Sequence, residues 1–342
     1  MRRCSLDNIN AVFAAMAANG PLYLPVDEID GRSAFKRWTE GTVWSDKLNT
    51  ARSPKDFFFP QTEDLMAFKR DGKKIEVIDI RDEKEDFTVF GLRACDVRAF
   101  DVLDKVFLSE PVDSYYENRR KHATLVAVSC RKPAETCFCS TFGIDPANPG
   151  ADVSAWTEGS YICFQANTQK GEDLLKKLEP LTENGGEKEV EKAKKATAEI
   201  MKKLPLADLN TKAFEGGDKT DEFFKSPEWA KLSESCLGCG TCTFVCPTCQ
   251  CYDIKDFDTG HGITRYRCWD SCMYSGFTKM SAGQPRLTQL ERFRQRFMHK
   301  LVYFPANNDG MFSCVGCGRC VARCPISMNI AKVMKTLGGN KK

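Results

Sequence analysis

The chain has 342 residues, which is more than one hydrophobic core usually serves, so we expect two domains. Fifty basic side chains nearly balance 47 acidic ones, and a formal charge of +3 argues against a nucleic-acid-binding protein. No apolar run approaches the roughly 20 residues that cross a bilayer, so we expect no membrane span. The 18 cysteines exceed ordinary usage, although a chain of this length needs no disulfide scaffold. Because no export signal is clear, these thiols indicate metal binding or redox chemistry in the reducing cytoplasm.

The first half of the chain predicts strands and helices in alternation. The opening stretch MRRCSLDNINAVFAAMAANG predicts a first helix, and KIEVIDI, ending at Ile80, predicts a strand. Residues 88–93 (TVFGLR) and 124–129 (TLVAVS) predict buried strands. Between them lies a helical face with Asp96 placed to cap its first turn. That face consists of Val97, Phe100, Leu103 and Phe107. The pattern is a right-handed βαβ unit, so we predict an α/β domain.

Four cysteines follow the ends of these two predicted strands. They are Cys95, Cys130, Cys137 and Cys139. Ligands of such sheets lie beyond the carboxyl ends of the strands, and four cysteines are the usual complement of a [4Fe–4S] cluster. Cys137 and Cys139 flank one phenylalanine, so a strand-like alternation points both thiols the same way. We therefore predict an additional [4Fe–4S] cluster here, the alternative being buried structural cysteines.

The segment that follows predicts a boundary between domains. Residues 185–206 carry mixed charges at helical spacing, which predicts a solvated surface helix. Residues 216–232 predict a linker that runs into a helix before Cys236. We therefore predict an α/β domain over residues 1–220 and a second domain over residues 221–342.

The second domain contains one cysteine pattern twice, C-x2-C-x2-C-x3-C-P. In bacterial ferredoxins, the first three thiolates of such a run bind one [4Fe–4S] cluster and the fourth binds its neighbour. One predicted cluster is therefore held by Cys236, Cys239, Cys242 and Cys324, and the other by Cys314, Cys317, Cys320 and Cys246. Paired zinc ribbons are the alternative. Zinc, however, requires neither a third cysteine two residues on nor a proline after each run.

The two runs are separated by 67 residues, far more than in a compact bacterial ferredoxin. Part of this insertion has apolar residues near helical spacing, namely Leu287, Leu290, Phe293, Phe297 and Leu301. We therefore predict an all-α two-cluster domain, which resembles the alpha-helical ferredoxin domain of succinate dehydrogenase iron–sulfur subunits. A basic run accompanies it: Arg286, Arg292, Arg294, Arg296, His299 and Lys300. These side chains either form an exposed face or add positive charge beside a cluster.

Several longer stretches carry a resemblance to one family. They are FFFPQTEDLMAFK, GLRACDVRAFDVLDKVF, CRKPAETCFCSTFGIDP, CPTCQCYDIKDF and RCWDSCMYSGFTKM followed by ERFRQRFMHK. These resemble the family of iron–sulfur subunits that includes the beta subunit of soluble sulfhydrogenase and the iron–sulfur subunit of anaerobic sulfite reductase. The resemblance implies a subunit that relays electrons between a flavoprotein linked to NAD(P)H or ferredoxin and a terminal catalytic subunit. It carries over to the eight cysteines of the repeated pattern, and to Cys95, Cys130, Cys137 and Cys139.

The remaining features lead to a prediction of electron transfer without bond-making chemistry on this chain. No GxGxxG or P-loop lies in a suitable context, so no flavin, nicotinamide or ATP site is expected. The three histidines, His122, His261 and His299, predict no histidine-rich metal site. The cysteines outside the predicted sites are Cys4, Cys163, Cys249, Cys251, Cys268 and Cys272. Two alternatives are a catalytic reductase acting on a small sulfur compound or disulfide at the N-terminal cysteines, and an iron–sulfur sensor binding nucleic acid.

Overall fold

The computed structural model describes residues 1–18, 20–80, 85–217, 219–260 and 262–339. His261 therefore lies outside the described residues. In chain order the strands are β1 (Arg2–Ser5), β2 (Leu22–Asp27), β3 (Ser33–Arg37), β4 (Thr62–Asp71), β5 (Lys74–Asp79), β6 (Phe87–Leu92), β7 (Ala123–Val128), β8 (Val153–Glu158), β9 (Tyr161–Ala166), β10 (Glu183–Asn184), β11 (Tyr252–Asp258) and β12 (Ile263–Trp269).

The α-helices precede, connect and follow these strands. They are α1 (Ile9–Ala17), α2 (Ala94–Phe107), α3 (Ser114–His122), α4 (Gln169–Lys177), α5 (Glu187–Lys202), α6 (Thr220–Lys225), α7 (Glu228–Ser233), α8 (Thr241–Phe244), α9 (Gln289–Met298), α10 (Phe304–Asn307), α11 (Arg319–Arg323) and α12 (Ile330–Gly338). A π-helical segment, His299–Tyr303, joins α9 to α10. No helix within the described ranges is both long and apolar enough to cross a membrane.

The N-terminal region is built on an eight-stranded sheet with the order β10-β1-β9-β8-β7-β6-β2-β3. Strands β2, β6, β7 and β8 run parallel to one another at its centre. The predicted βαβ unit is confirmed, because β6 and β7 pair in parallel and α2 lies between them in the chain. Asp96 caps α2 as predicted, and its carboxylate accepts a hydrogen bond from the N–H of Arg93 at 3.2 Å.

Both faces of this sheet are covered, which explains why its central strands are almost entirely apolar. On one face Phe13 of α1 packs against Phe90, together with leucines of α4. On the other face, Phe100 of α2 contacts Phe58, 4.8 Å away between ring centroids. The N-terminal region is therefore α/β, as the sequence predicts.

A second, antiparallel sheet has the order β11-β12-β4-β5. The strand predicted to end at Ile80 is β5, and it lies at the edge of this sheet rather than in the parallel one. β4 pairs with β12, so strands from both sides of residue 220 share hydrogen bonds. The division at residue 220 stays a prediction.

The region between the cysteine runs differs from the all-α prediction, because β11 and β12 form a hairpin there. Helix α9 does form, with Phe293 and Phe297 buried against Trp229 of α7. Leu287 does not belong to it. Thr288 caps α9 through its hydroxyl and Glu291, and Leu287 precedes the cap with 75% of its surface exposed.

Candidate iron–sulfur site

The four cysteines predicted at the carboxyl ends of the parallel strands lie close together. Cys95 is in the first turn of α2, Cys130 follows β7, and Cys137 and Cys139 belong to the next loop. All four are buried. We call them the N-terminal set. Cys139 interacts electrostatically with Cys130 and Cys137, and Cys95 interacts with Cys139. Burial raises the pKa of the Cys130 thiol to about 12, so this thiol is protonated at pH 7 unless a cation binds it.

The N-terminal set touches the second cysteine run directly. The N–H of Phe138 donates to the carbonyl oxygen of Gly316 at 2.9 Å. Gly316 and Gly318 both have positive φ, and a Cβ on either would lie 2.5 Å from a backbone atom of the 136–139 loop. Two glycines of the C-x2-C-x2-C run thus permit close packing of the two thiol-bearing loops. As a result, Cys317 lies near enough to interact with Cys95 and Cys139.

The second cysteine run and the fourth cysteine of the first run also come together. These are Cys314, Cys317, Cys320 and Cys246, which we call the inner set. Cys314 interacts with Cys320 and Cys246, and Cys317 interacts with the same two residues. Burial raises the pKa of Cys314, Cys317 and Cys320. The inner set is thus a buried group of thiols with members from both runs.

The other four cysteines of the repeated pattern are Cys236, Cys239, Cys242 and Cys324, which we call the outer set. Cys242 interacts with Cys236 and Cys239, and also with Cys246 of the inner set. The thiol of Cys324 donates to the carbonyl oxygen of Met328 at 3.4 Å. Cys239 is exposed, unlike any member of the other two sets. Cys239 shares a hydrogen bond with the Thr241 hydroxyl at 3.5 Å, and this contact and the Thr241 N–H lower the pKa of Cys239.

Two residues of the predicted basic run are buried among these thiols. Arg296 is 2% exposed, and its Nε and Nη1 atoms have no hydrogen-bond partner. Burial alone lowers the pKa of a guanidinium, yet Cys242 and Cys320 keep the pKa of Arg296 well above its usual range. Lys300, in the π-helical segment, donates to Thr248 at 2.8 Å and lies near Cys246. Burial and Lys300 lower the pKa of His299 to about 4, so this imidazole is neutral at pH 7.

A buried ion pair ties the N-terminal and inner sets together. Arg319, one residue before Cys320, donates to the Asp96 carboxylate at 2.7 Å, and both side chains are at most 3% exposed. The same guanidinium donates to the carbonyl oxygen of Thr50. Because Asp96 follows Cys95, this pair fixes one cysteine of each set relative to the other.

The donor set fits iron–sulfur clusters. Each set supplies four cysteines, and backbone N–H groups donate to the sulfurs of Cys139, Cys239, Cys314 and Cys317. The Nε and Nη1 atoms of Arg296 have no hydrogen-bond partner, and the thiols of Cys242 and Cys320 are the groups that raise its pKa most, as expected beside a buried anionic group. Among the described residues, no three His, Cys, Asp or Glu side chains surround the position of one metal ion. A cube instead takes thiolates at its separate corners.

Sequence patterns missed several residues beside the thiols. The Asn49 amide donates to the carbonyl oxygen of Cys317 at 2.8 Å and lies 4.0 Å from the Cys137 sulfur. Helix α5, predicted as fully solvated, buries one face on β8, and its Thr197 hydroxyl donates to the carbonyl oxygen of Cys130. Met201 of the same helix packs against Cys95 and Cys139. The few apolar residues of α5 recur every three or four positions, and this spacing was the sequence signal for a buried face.

Buried thiols on contacting loops, with the buried cations Arg296 and Lys300 beside them, are what an iron–sulfur electron-transfer subunit requires. Residues 235–328 match the 4Fe-4S dicluster domain family, and the chain carries [4Fe–4S] clusters. Over 298 residues it is 34% identical to Sulfhydrogenase 2 subunit beta of Pyrococcus furiosus, covering 84% of each chain. The chain belongs to the family of that subunit. No solved structure matches it.

Proposed function

We propose that this chain relays single electrons through three [4Fe–4S] clusters, one held by each set, inside a cytoplasmic multisubunit oxidoreductase. The partners would be a flavoprotein linked to NAD(P)H or ferredoxin and a terminal catalytic subunit. The family relationship to a subunit named beta supports the assembly. Two domains, 1–220 and 221–342, would carry one cluster and two clusters respectively.

The observation that carries this proposal is the continuous row of thiols. Cys139 of the N-terminal set interacts with Cys317 of the inner set. Cys246 of the inner set in turn interacts with Cys242 of the outer set, and Cys239 of that set reaches the surface. Each step passes between neighbouring groups, so the row provides a route from the edge of the parallel sheet to solvent.

The surface at the outer end has the character of a docking site. Leu237 is 66% exposed beside Cys239, and the Tyr274 hydroxyl donates to the carbonyl oxygen of Cys239 at 3.1 Å. Exposed apolar and aromatic groups beside an exposed cysteine suit contact with a redox partner. We place one partner here and the other beside the N-terminal set.

The clusters, when bound, each accept and release one electron. The residues of this chain would hold them, exclude water and set their charge environment. Arg296 and Lys300 stabilise added negative charge near the inner and outer sets, while the backbone N–H groups donate to the sulfurs.

Iron and acid-labile sulfide measured on anaerobically purified protein test the proposal. We expect about twelve irons per chain, since each [4Fe–4S] cluster holds four. Cys139→Ser, Cys314→Ser and Cys239→Ser each remove a ligand of one set, so each is expected to lower the iron content by up to about four. Cys163→Ser is the matched control, because Cys163 is buried among Trp156, Val190 and Ala193 and lies in no set.

Three results would contradict the proposal. Folded, colourless protein without iron excludes clusters, and zinc in place of iron identifies zinc ribbons. About eight irons, unchanged in Cys139→Ser, would restrict the relay to the inner and outer sets.

A cavity favours a second candidate function, reduction of a small sulfur compound or disulfide at the N-terminal set. The cavity measures about 320 Å³ and is lined by Arg93, which follows β6, and by Ser129 and Arg131, which flank Cys130 in the chain after β7. The buried Ser129 hydroxyl has no hydrogen-bond partner. Purified chain that reduces sulfite or polysulfide with dithionite, without other subunits, would support this candidate. A complete set of four cysteine ligands with no such activity supports the relay.

A further inference from the structure

Four cysteines of the C-terminal region lie outside the three sets. They are Cys249, Cys251, Cys268 and Cys272, and all are partly exposed. The Cys249 thiol hydrogen-bonds to Cys246 and so adjoins the inner set. Cys251 and Cys272 form a pair of their own.

The hairpin of β11 and β12 brings this pair together. Cys251 immediately precedes β11, and Cys272 lies shortly after the end of β12. Tyr252 stands opposite Trp269, and the N–H of Asp270 donates to the carbonyl oxygen of Cys251 at 2.9 Å. The chain then turns so that Cys272 donates two hydrogen bonds to the Cys251 sulfur, one from its N–H and one from its thiol. The Cys251 sulfur therefore lies beside both the N–H and the thiol of Cys272, which is the arrangement that a disulfide between them needs.

The two thiols are unlike in acidity. The hydrogen bond from Cys272 lowers the pKa of Cys251 to about 7, and the nearby Lys300 and Lys55 also lower it. The same hydrogen bond, together with burial, raises the pKa of Cys272. An attacking thiol works best when its pKa is near the ambient pH, so Cys251 is suited to attack and Cys272 to resolve.

The hydrogen bond between the Cys251 and Cys272 sulfurs also distinguishes this pair from the three sets of predicted cluster ligands. Ligands of one cube bind at different corners and are held apart by it, whereas these two sulfurs share a hydrogen bond. We propose that Cys251 and Cys272 are a redox-active thiol pair that reacts with small-molecule disulfides and closes to an intramolecular disulfide.

The chemistry balances without the clusters. The Cys251 thiolate attacks one sulfur of a disulfide RSSR, forming a mixed disulfide and releasing one thiolate RS⁻. The Cys272 thiol loses its proton, and its thiolate attacks the Cys251 sulfur, releasing the second RS⁻. One RSSR is reduced to two RSH while two protein thiols are oxidised to one disulfide, and the two protons end on the released thiols. The inference therefore goes beyond the one-electron relay and does not depend on it.

The test uses anaerobic, cluster-loaded, full-length protein and glutathione disulfide as the probe. Protein equilibrated at graded ratios of glutathione disulfide to glutathione is quenched with acid, alkylated under denaturing conditions and mapped by peptide mass spectrometry. We expect a peptide cross-linked between Cys251 and Cys272, whose yield rises with the ratio.

Variants separate the two roles. In Cys272→Ser, a glutathione adduct should accumulate on Cys251, because nothing resolves it. In Cys251→Ser, the adduct on Cys272 should form at least about tenfold more slowly, because less of the Cys272 thiol is ionised at neutral pH. Cys268→Ser is the matched control: Cys268 lies on the neighbouring strand, is also partly exposed, and should leave the closure unchanged.

Other outcomes overturn the proposal. Disulfides that join other cysteines, or equal adduct rates in the two variants, would remove the assigned roles. A loss of about four irons per chain in Cys251→Ser, Cys272→Ser and Cys268→Ser together would show that these thiols hold a further cluster. Unchanged iron with the Cys251–Cys272 cross-link supports the thiol pair, whether or not the relay proposal survives.

Discussion

At the residue scale, the clearest electrostatic feature is the guanidinium of Arg296. It is buried beside Cys242 and Cys320, and two of its nitrogen atoms have no hydrogen-bond partner. A positive charge in such a place favours the more negative, reduced state of a neighbouring cluster. The basic run therefore contains both buried and surface side chains, since Arg294 stacks on Phe224 at the surface.

We predict that Arg296→Gln lowers the midpoint potential of the adjacent clusters. A tenfold change in a one-electron equilibrium corresponds to about 59 mV, and we expect a shift of that order. Redox titration followed by electron paramagnetic resonance measures it. Arg294→Gln removes the same charge two residues away on the surface of α9 and should change the potential much less. Equal shifts in the two variants would show that burial of Arg296 contributes nothing.

The sequence supplies the candidate ligands, whose assignment stays a prediction, but it does not supply the residues that surround them. The cysteines of each run lie within a few residues of one another, and a sequence motif records such short-range spacing. Asn49, Lys55 and Met201 reach the thiols only through tertiary packing, from segments that carry no motif. The burial of Arg296 likewise depends on where α9 packs, which residue spacing alone does not determine.

At the scale of elements, local sequence patterns predict the βαβ unit but not the hairpin of β11 and β12. β6 and β7 are continuous apolar runs around an amphipathic helix, so local patterns predict them. Every residue of β11 is exposed, and the alternation of Tyr252 and Ile254 with polar residues breaks before Phe257. Its partner strand β12 pairs with β4, nearly 200 residues earlier in the chain. The all-α prediction was wrong at this point, because β11 pairs only with the adjacent β12 and the strand that joins this hairpin to a sheet, β4, is distant in the chain.

The ion pair between α2 and α11 carries the second prediction. Asp96→Asn would leave Arg319 buried without its counter-charge, and breaking such a pair costs about 3–5 kcal/mol. We expect a corresponding fall in the midpoint of thermal unfolding of the cluster-loaded protein. Asp101→Asn on the same helix removes an exposed partner of Arg98, so it should cost at most about 1 kcal/mol. A similar small loss in both variants would contradict a structural role for the Asp96–Arg319 pair.

At the scale of the whole molecule, the three sets form an ordered row rather than separate sites. The N-terminal set is buried against the inner set, and only the outer set has an exposed cysteine. Neither run of cysteines predicts this order, because it depends on the contact between the 136–139 loop and two glycines near residue 317. The row has a buried end and a surface end, so its two ends present different surfaces to partners.

The surface end carries the last prediction. If a redox partner docks at Cys239, a charge in place of the exposed Leu237 should weaken that contact while leaving the clusters intact. We expect Leu237→Asp to slow electron exchange with the copurified partner by about tenfold, since loss of a central apolar contact costs more than about 1 kcal/mol. Ile75→Asp is the control, because Ile75 is 69% exposed on the edge strand β5 and Leu237 is 66% exposed. Stopped-flow reoxidation at equal iron content compares the two variants. Slowing by Ile75→Asp alone would move the docking site to the four-stranded sheet, and unchanged rates in both would place it away from either surface.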